Sequence, residues 1–115
     1  FLDDLKDRGL SEKVLLVITG DFGRTPNVNK RGGRDHWARL GTLAFAGGGL
    51  NLGQVIGRSS RDAGEPASEP IGPHRLFGTI LHTLFDVGAM RTDSSIPREL
   101  MSFIDTCPPI RELVS

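Results

Sequence analysis

Val14-Leu15-Leu16-Val17-Ile18-Thr19-Gly20-Asp21-Phe22-Gly23-Arg24-Thr25-Pro26 is the stretch from which the rest of the chain is read. Its first five residues form an unbroken apolar, β-branched run. Such a run suits a strand buried on both faces, as in a parallel sheet packed between helices. The residues after it are polar and glycine-rich, so a carboxylate, Asp21, stands at the carboxyl end of that strand. In open α/β sheets this is the edge where ligands collect.

Working outward, Leu2, Leu5 and Leu10 alternate with charged residues. That spacing predicts a short amphipathic helix, with Gly9 as its left-handed stop. Residues 19–37 read as one long loop, and long ordered loops tend to carry function. Leu43-Ala44-Phe45-Ala46 predicts a second short strand. Gln54-Val55-Ile56-Gly57 predicts a third, hairpinned to it around Gly48 to Gly53. Residues 58–72 are polar and read as a surface loop, with Arg58, Arg61, Asp62 and Glu65 as a solvated mixed-charge face. Pro73 opens a helix at a position proline tolerates, and Leu76, Phe77, Ile80, Leu81, Leu84 and Phe85 give it an apolar stripe. From Ile96 onward one more turn of helix is expected, broken by Pro108-Pro109.

The chain has 115 residues, room for a single domain. Its 37% hydrophobic content together with 15 glycines argues against wholesale disorder. Fourteen basic residues balance 14 acidic ones, which argues against a general nucleic-acid binder and a polybasic membrane patch. No apolar run is long enough for a transmembrane helix. The lone Cys107 can form no internal disulfide and reads as inert. So much glycine and proline in so short a chain, opening inside a helix, suggests the C-terminal piece of something larger.

Two clusters could carry chemistry. One is Asp21 with Arg24; the other is Gly32-Gly33-Arg34-Asp35-His36-Trp37. A loop of that length can fold back and set His36 beside Asp21. The pair, with Asp35 as a further candidate, would suit a divalent metal such as zinc or manganese. Arg24, Arg34 and Arg39 could orient an anionic group through forked hydrogen bonds. The bland alternatives are an Asp that caps a turn, a hydrogen-bonded surface histidine and solvated arginines. Gly47-Gly48-Gly49 lacks the lysine and hydroxyl of a phosphate-binding loop and reads as a tight turn. His82 borders the apolar stripe and reads as packed. Ser59-Ser60 has no local histidine to activate it.

The string ITGDFGRTPNVNKRGGRDHWARL, with LAFAGGG, QVIG and PHRLFGTILHTLFDVG after it, resembles the domain-of-unknown-function family numbered 1501. The similarity runs over nearly the whole chain, and it places the family in the sulfatase-like alkaline phosphatase superfamily. The resemblance implies an α/β fold: the C-terminal portion of an α/β/α sandwich, mainly parallel sheet plus a short hairpin. On that basis residues 1–115 are one partial domain of a larger one. The implied activity is hydrolysis of sulfate or phosphate esters, small-molecule or saccharide, with zinc or manganese as cofactor.

In that scheme Asp21 and His36 correspond to metal ligands, and Arg24 and Arg34 lie near the ester anion. The nucleophile would lie upstream, so no catalytic residue is assigned and the isolated chain is expected to be inactive. Phe22 stands where catalytic relatives carry a histidine ligand. This leaves two readings open: an altered metal site, or a degenerate member serving in binding or surface assembly. The resemblance also suggests a periplasmic or secreted parent. A sheet cut from its neighbours exposes an edge, so self-association of the isolated chain is expected.

Overall fold

The computed structural model describes residues 1–114. Five helices and four strands follow in the order α1 (Leu2–Asp7), β1 (Leu15–Thr19), β2 (Gly23–Arg24), β3 (His36–Trp37), β4 (Leu43–Gly47), α2 (Pro73–Leu84), α3 (Val87–Met90), α4 (Arg98–Thr106) and α5 (Arg111–Val114). The chain divides into two compact units. The first takes Phe1–Leu16, Ala46–Gln54 and the chain from Ile71 onward; the second takes Val17–Phe45 and Val55–Pro70.

The strands make two separate two-stranded sheets, β1 with β4 and β2 with β3. This overturns the expected α/β/α sandwich: among the described residues there is no parallel sheet. The physical reason lies in how β4 returns. A parallel partner needs a crossover, usually a helix, to carry the chain back to the same end. No helix lies between β1 and β4. Instead the end of β4 meets the start of β1, where the Gly48 N–H donates to Ser11 O at 3.0 Å. Gly47 packs so tightly on the Val14 carbonyl that a Cβ there would lie 2.2 Å from its oxygen. The apolar run of β1 is accordingly not buried on two faces. Leu15, Leu16 and Val17 are half-buried, and Ile18 is 60% exposed.

The predicted third strand also fails to form. Gly53 and Gly57 adopt positive φ, which breaks extended backbone. The Gln54 side chain instead donates to Asn51 O and Glu112 O, each at 2.7 Å. The hairpin that does form lies earlier, between β2 and β3.

The helices follow the sequence pattern more closely. Pro73 occupies the first turn of α2, and Gly9 after α1 has φ +66°. The tail holds more helix than the single turn expected, with nine residues in α4 followed by α5. Leu100, Phe103 and Ile104 share one side of α4, and Ile104 is its buried member, 2% exposed. The core comprises Leu5, Val87, Ile104, Cys107, Ile110 and Leu113. All six fall in the first unit.

Two small residues of α2 receive the tail. A Cβ at Gly78 would lie 2.2 Å from Cys107 O, so only glycine lets the backbone pass. Thr79, fully buried, donates its hydroxyl to Arg75 O at 2.8 Å and accepts from the Ile110 N–H at 2.9 Å. That second bond satisfies a buried amide which would otherwise carry a desolvation penalty. No helix among the described residues is long and apolar enough to cross a membrane.

Candidate functional site

The polar loop after β1 is an ordered hairpin whose frame is built by side chains. Gly23 pairs with Trp37 and Arg24 with His36, antiparallel. At Gly23 a Cβ would lie 2.1 Å from Leu40 O, so glycine is required for the strand to pass. Above the strand pair, the Thr25 N–H donates to Asp35 O at 2.9 Å, and the Asp35 N–H donates to Thr25 Oγ1 at 3.1 Å.

Asn29 holds the tip. Its Oδ1 accepts from the Arg31 N–H at 2.9 Å and the Gly33 N–H at 3.1 Å, while its Nδ2 donates to Asp35 Oδ1 at 2.9 Å. Asparagine side chains close turns in this way by standing in for a backbone carbonyl. Gly32, with φ +78°, supplies the left-handed residue the turn requires. The type of residue and its spacing to Gly33 were a signal in the sequence that reading for metal ligands passes over.

Asp21, Arg24, Arg34, Asp35 and His36 are all exposed. The fold-back expected from loop length does occur, yet it brings His36 onto Phe22 rather than into contact with Asp21. The two rings lie 4.0 Å apart, centre to centre, tilted by 30°. Asp21 immediately precedes Phe22 and makes no ion pair with His36.

Both candidate anion-binding arginines are engaged with the hairpin itself. Arg34 donates through Nη1 to Thr25 O at 2.7 Å and also to Pro26 O. Arg24 donates to Arg34 O at 3.3 Å, and its guanidinium carbon lies 5.8 Å from the centre of the Phe22 ring. Arg39, the third, pairs with Glu65 and lies over the Trp37 ring at 5.5 Å.

A divalent metal held firmly by protein needs at least three side-chain donors as a rule. Among the described residues no three His, Cys, Asp or Glu side chains converge. Asp21 and His36 therefore do not make a metal site by themselves, and Asp35 Oδ1 accepts a hydrogen bond from Asn29.

A second loop, residues 58–68, carries structure that the charge pattern did not announce. Ser59 and Pro66 form an isolated antiparallel bridge. Within it the Ser60 hydroxyl donates to Asp62 Oδ1 at 2.6 Å and accepts from the Gly64 and Glu65 N–H groups at 3.2 and 3.0 Å. The Gly64 N–H also donates to Asp62 Oδ1 at 3.2 Å, and the Ser60 hydroxyl first and this amide next hold the Asp62 carboxyl below the ordinary carboxylate value. Trp37 Nε1 donates to Gly64 O at 2.6 Å, joining this loop to the hairpin.

Compared with known proteins, residues 1–90 match the model of a family described as "Protein of unknown function (DUF1501)". No curated protein and no solved structure matches the chain.

Proposed function

The chain belongs to the DUF1501 family, and from that premise we propose that its Asp21–Trp37 hairpin handles the anionic group of a sulfate or phosphate ester. The protein is then a sulfatase-like or phosphatase-like hydrolase using zinc or manganese. Asp21 and His36 supply part of the ligand set, with Arg24 and Arg34 beside the anion. What carries this reading is the ring contact of Phe22 with His36 at 4.0 Å. It draws a histidine from the far end of the loop to the residue next to Asp21 and leaves both donors exposed to a ligand.

Two donors do not complete a metal site, so the remaining ligands and the nucleophile come from outside the described residues. The arginines act in two ways. Arg34 fixes the carbonyls of Thr25 and Pro26, which sets the shape of the loop. Arg24 makes one hydrogen bond to that loop and keeps further N–H groups for an anion.

A second reading is favoured by one specific feature. Phe22 covers a face of the His36 ring, and phenylalanine coordinates nothing. A non-catalytic member of the family that binds an anion or assembles at a surface would tolerate that substitution.

Metal content of the full-length protein, measured by elemental mass spectrometry, separates the two. Stoichiometric zinc or manganese is expected in the wild type and is expected to fall in His36→Ala and in His36→Phe. The phenylalanine variant keeps a ring against Phe22, so its loss of metal would report the missing nitrogen donor and not an unfolded hairpin. Metal absent from the wild type, or retained by both variants, would overturn the ligand assignment in favour of the binding role.

A further inference from the structure

The thirteen residues Phe22 to Arg34, flanked by Asp21 and Asp35, hold Arg24, Lys30, Arg31 and Arg34 and no carboxylate, in a chain whose 14 basic and 14 acidic residues cancel as a whole. Their roles divide. Arg24 and Arg34 turn toward the loop carbonyls. Lys30 and Arg31 project from the exposed tip and pair with no carboxylate among the described residues. The tip is held in one shape by Asn29, whose side chain bonds the Arg31 and Gly33 amides and whose backbone N–H donates to Gly33 O at 2.7 Å. A cation on an ordered turn loses less freedom when it binds than one on a mobile loop. Adjacent cations without internal partners gain most from a ligand that brings its own negative charges.

We propose that Lys30 and Arg31 form a second anion contact, so that the ligand of this hairpin carries at least two phosphate or sulfate groups. One group lies near Arg24 and another at the tip. The inference rests on the anion-handling reading above, but it does not depend on a metal at Asp21 and His36.

The test uses the full-length protein in the presence of a chelator, with binding of tripolyphosphate and of orthophosphate measured by calorimetry at low salt. Tripolyphosphate is expected to bind more tightly, and a Lys30→Gln/Arg31→Gln double variant to lose about tenfold or more of that affinity. Orthophosphate binding is expected to change little. A Lys6→Gln/Arg8→Gln variant, which removes the same charge from the last turn of α1 and the residue that caps it, is expected to keep its tripolyphosphate affinity.

Equal binding of both anions, or a tripolyphosphate affinity untouched by the tip variant, would overturn the second contact and leave the first anion reading standing. An equal loss in the α1 variant would also overturn it, by showing that net charge alone is sensed. Failure to bind either anion overturns the tip contact, while metal content still decides the ligand role of Asp21 and His36.

Discussion

The two units of this chain are held together by different physics. Among the described residues every buried apolar side chain, from Leu5 to Leu113, belongs to the unit that contains the helices. The unit containing the two loops buries no apolar side chain. Its order comes from hydrogen bonds in which Asn29, Arg34, Trp37 and Ser60 satisfy backbone groups. Apolar burial is non-directional and tolerates exchange among side chains of similar volume. A polar frame is directional, and each member has a specific partner to lose. The candidate anion site lies on the polar frame, where exposed charged groups can be held in place without being covered.

The largest effect should come from the apolar unit. Ile104→Ala removes a side chain only 2% exposed, and a loss of about 2–5 kcal/mol is expected from the missing transfer energy and the cavity left behind. Chemical denaturation followed by helical circular dichroism measures it directly. A loss under about 1 kcal/mol would mean that the tail can collapse onto α2 without Ile104, and that the core is less well packed than its burial implies.

A smaller, local effect is expected in the polar unit. Asn29→Ala removes three hydrogen bonds at an exposed turn, where water replaces part of what is lost, so about 1 kcal/mol is expected. Amide hydrogen exchange should quicken at residues 31–35 while the amides of α2 and α4 stay protected. If α2 and α4 also lost protection, the contrast drawn between the two units would be wrong.

That contrast also explains what could be read in advance. The helix α2, the Gly9 stop and the two strands, expected over 14–18 and 43–46 and found at Leu15–Thr19 and Leu43–Gly47, follow from apolar patterning and glycine placement, although Ile18, Phe77, Leu84 and Phe85 of those patterns stay exposed. Sheet direction did not follow. An apolar run of five residues fits a strand between two helix layers as well as one with a half-exposed face, and only the return of β4 to Ser11 distinguishes them. The candidate site was legible in part. Loop length allowed His36 to fold back beside Asp21; the loop does fold back, but which residue His36 meets depends on register. Gly23 opposite Trp37 places it on Phe22. Asn29 and Ser60 were missed because their work is done on backbone amides, which leave no charge or hydropathy pattern.

The smallest expected effect is also the most local test of the polar frame. Burial would raise the value of a carboxyl; at the exposed Asp62 the Ser60 hydroxyl and, next, the Gly64 amide lower it by bonding the charged form. A carboxylate whose folded value is depressed contributes stability above its ordinary value and loses it as pH falls through the folded value. Acidification should therefore loosen residues 59–66 only in the strongly acidic range, below the point at which free aspartates protonate. In Ser60→Ala the larger of the two bonds is gone, and the Asp62 midpoint should rise toward that of a free aspartate. Carboxyl carbon shifts followed by NMR through an acid titration would show the rise. The same variant strips the acceptor from the Gly64 and Glu65 amides, so their exchange should quicken even at neutral pH. An unchanged Asp62 midpoint would assign the low value to the Gly64 amide alone. The serine would then order the loop through its accepted bonds only.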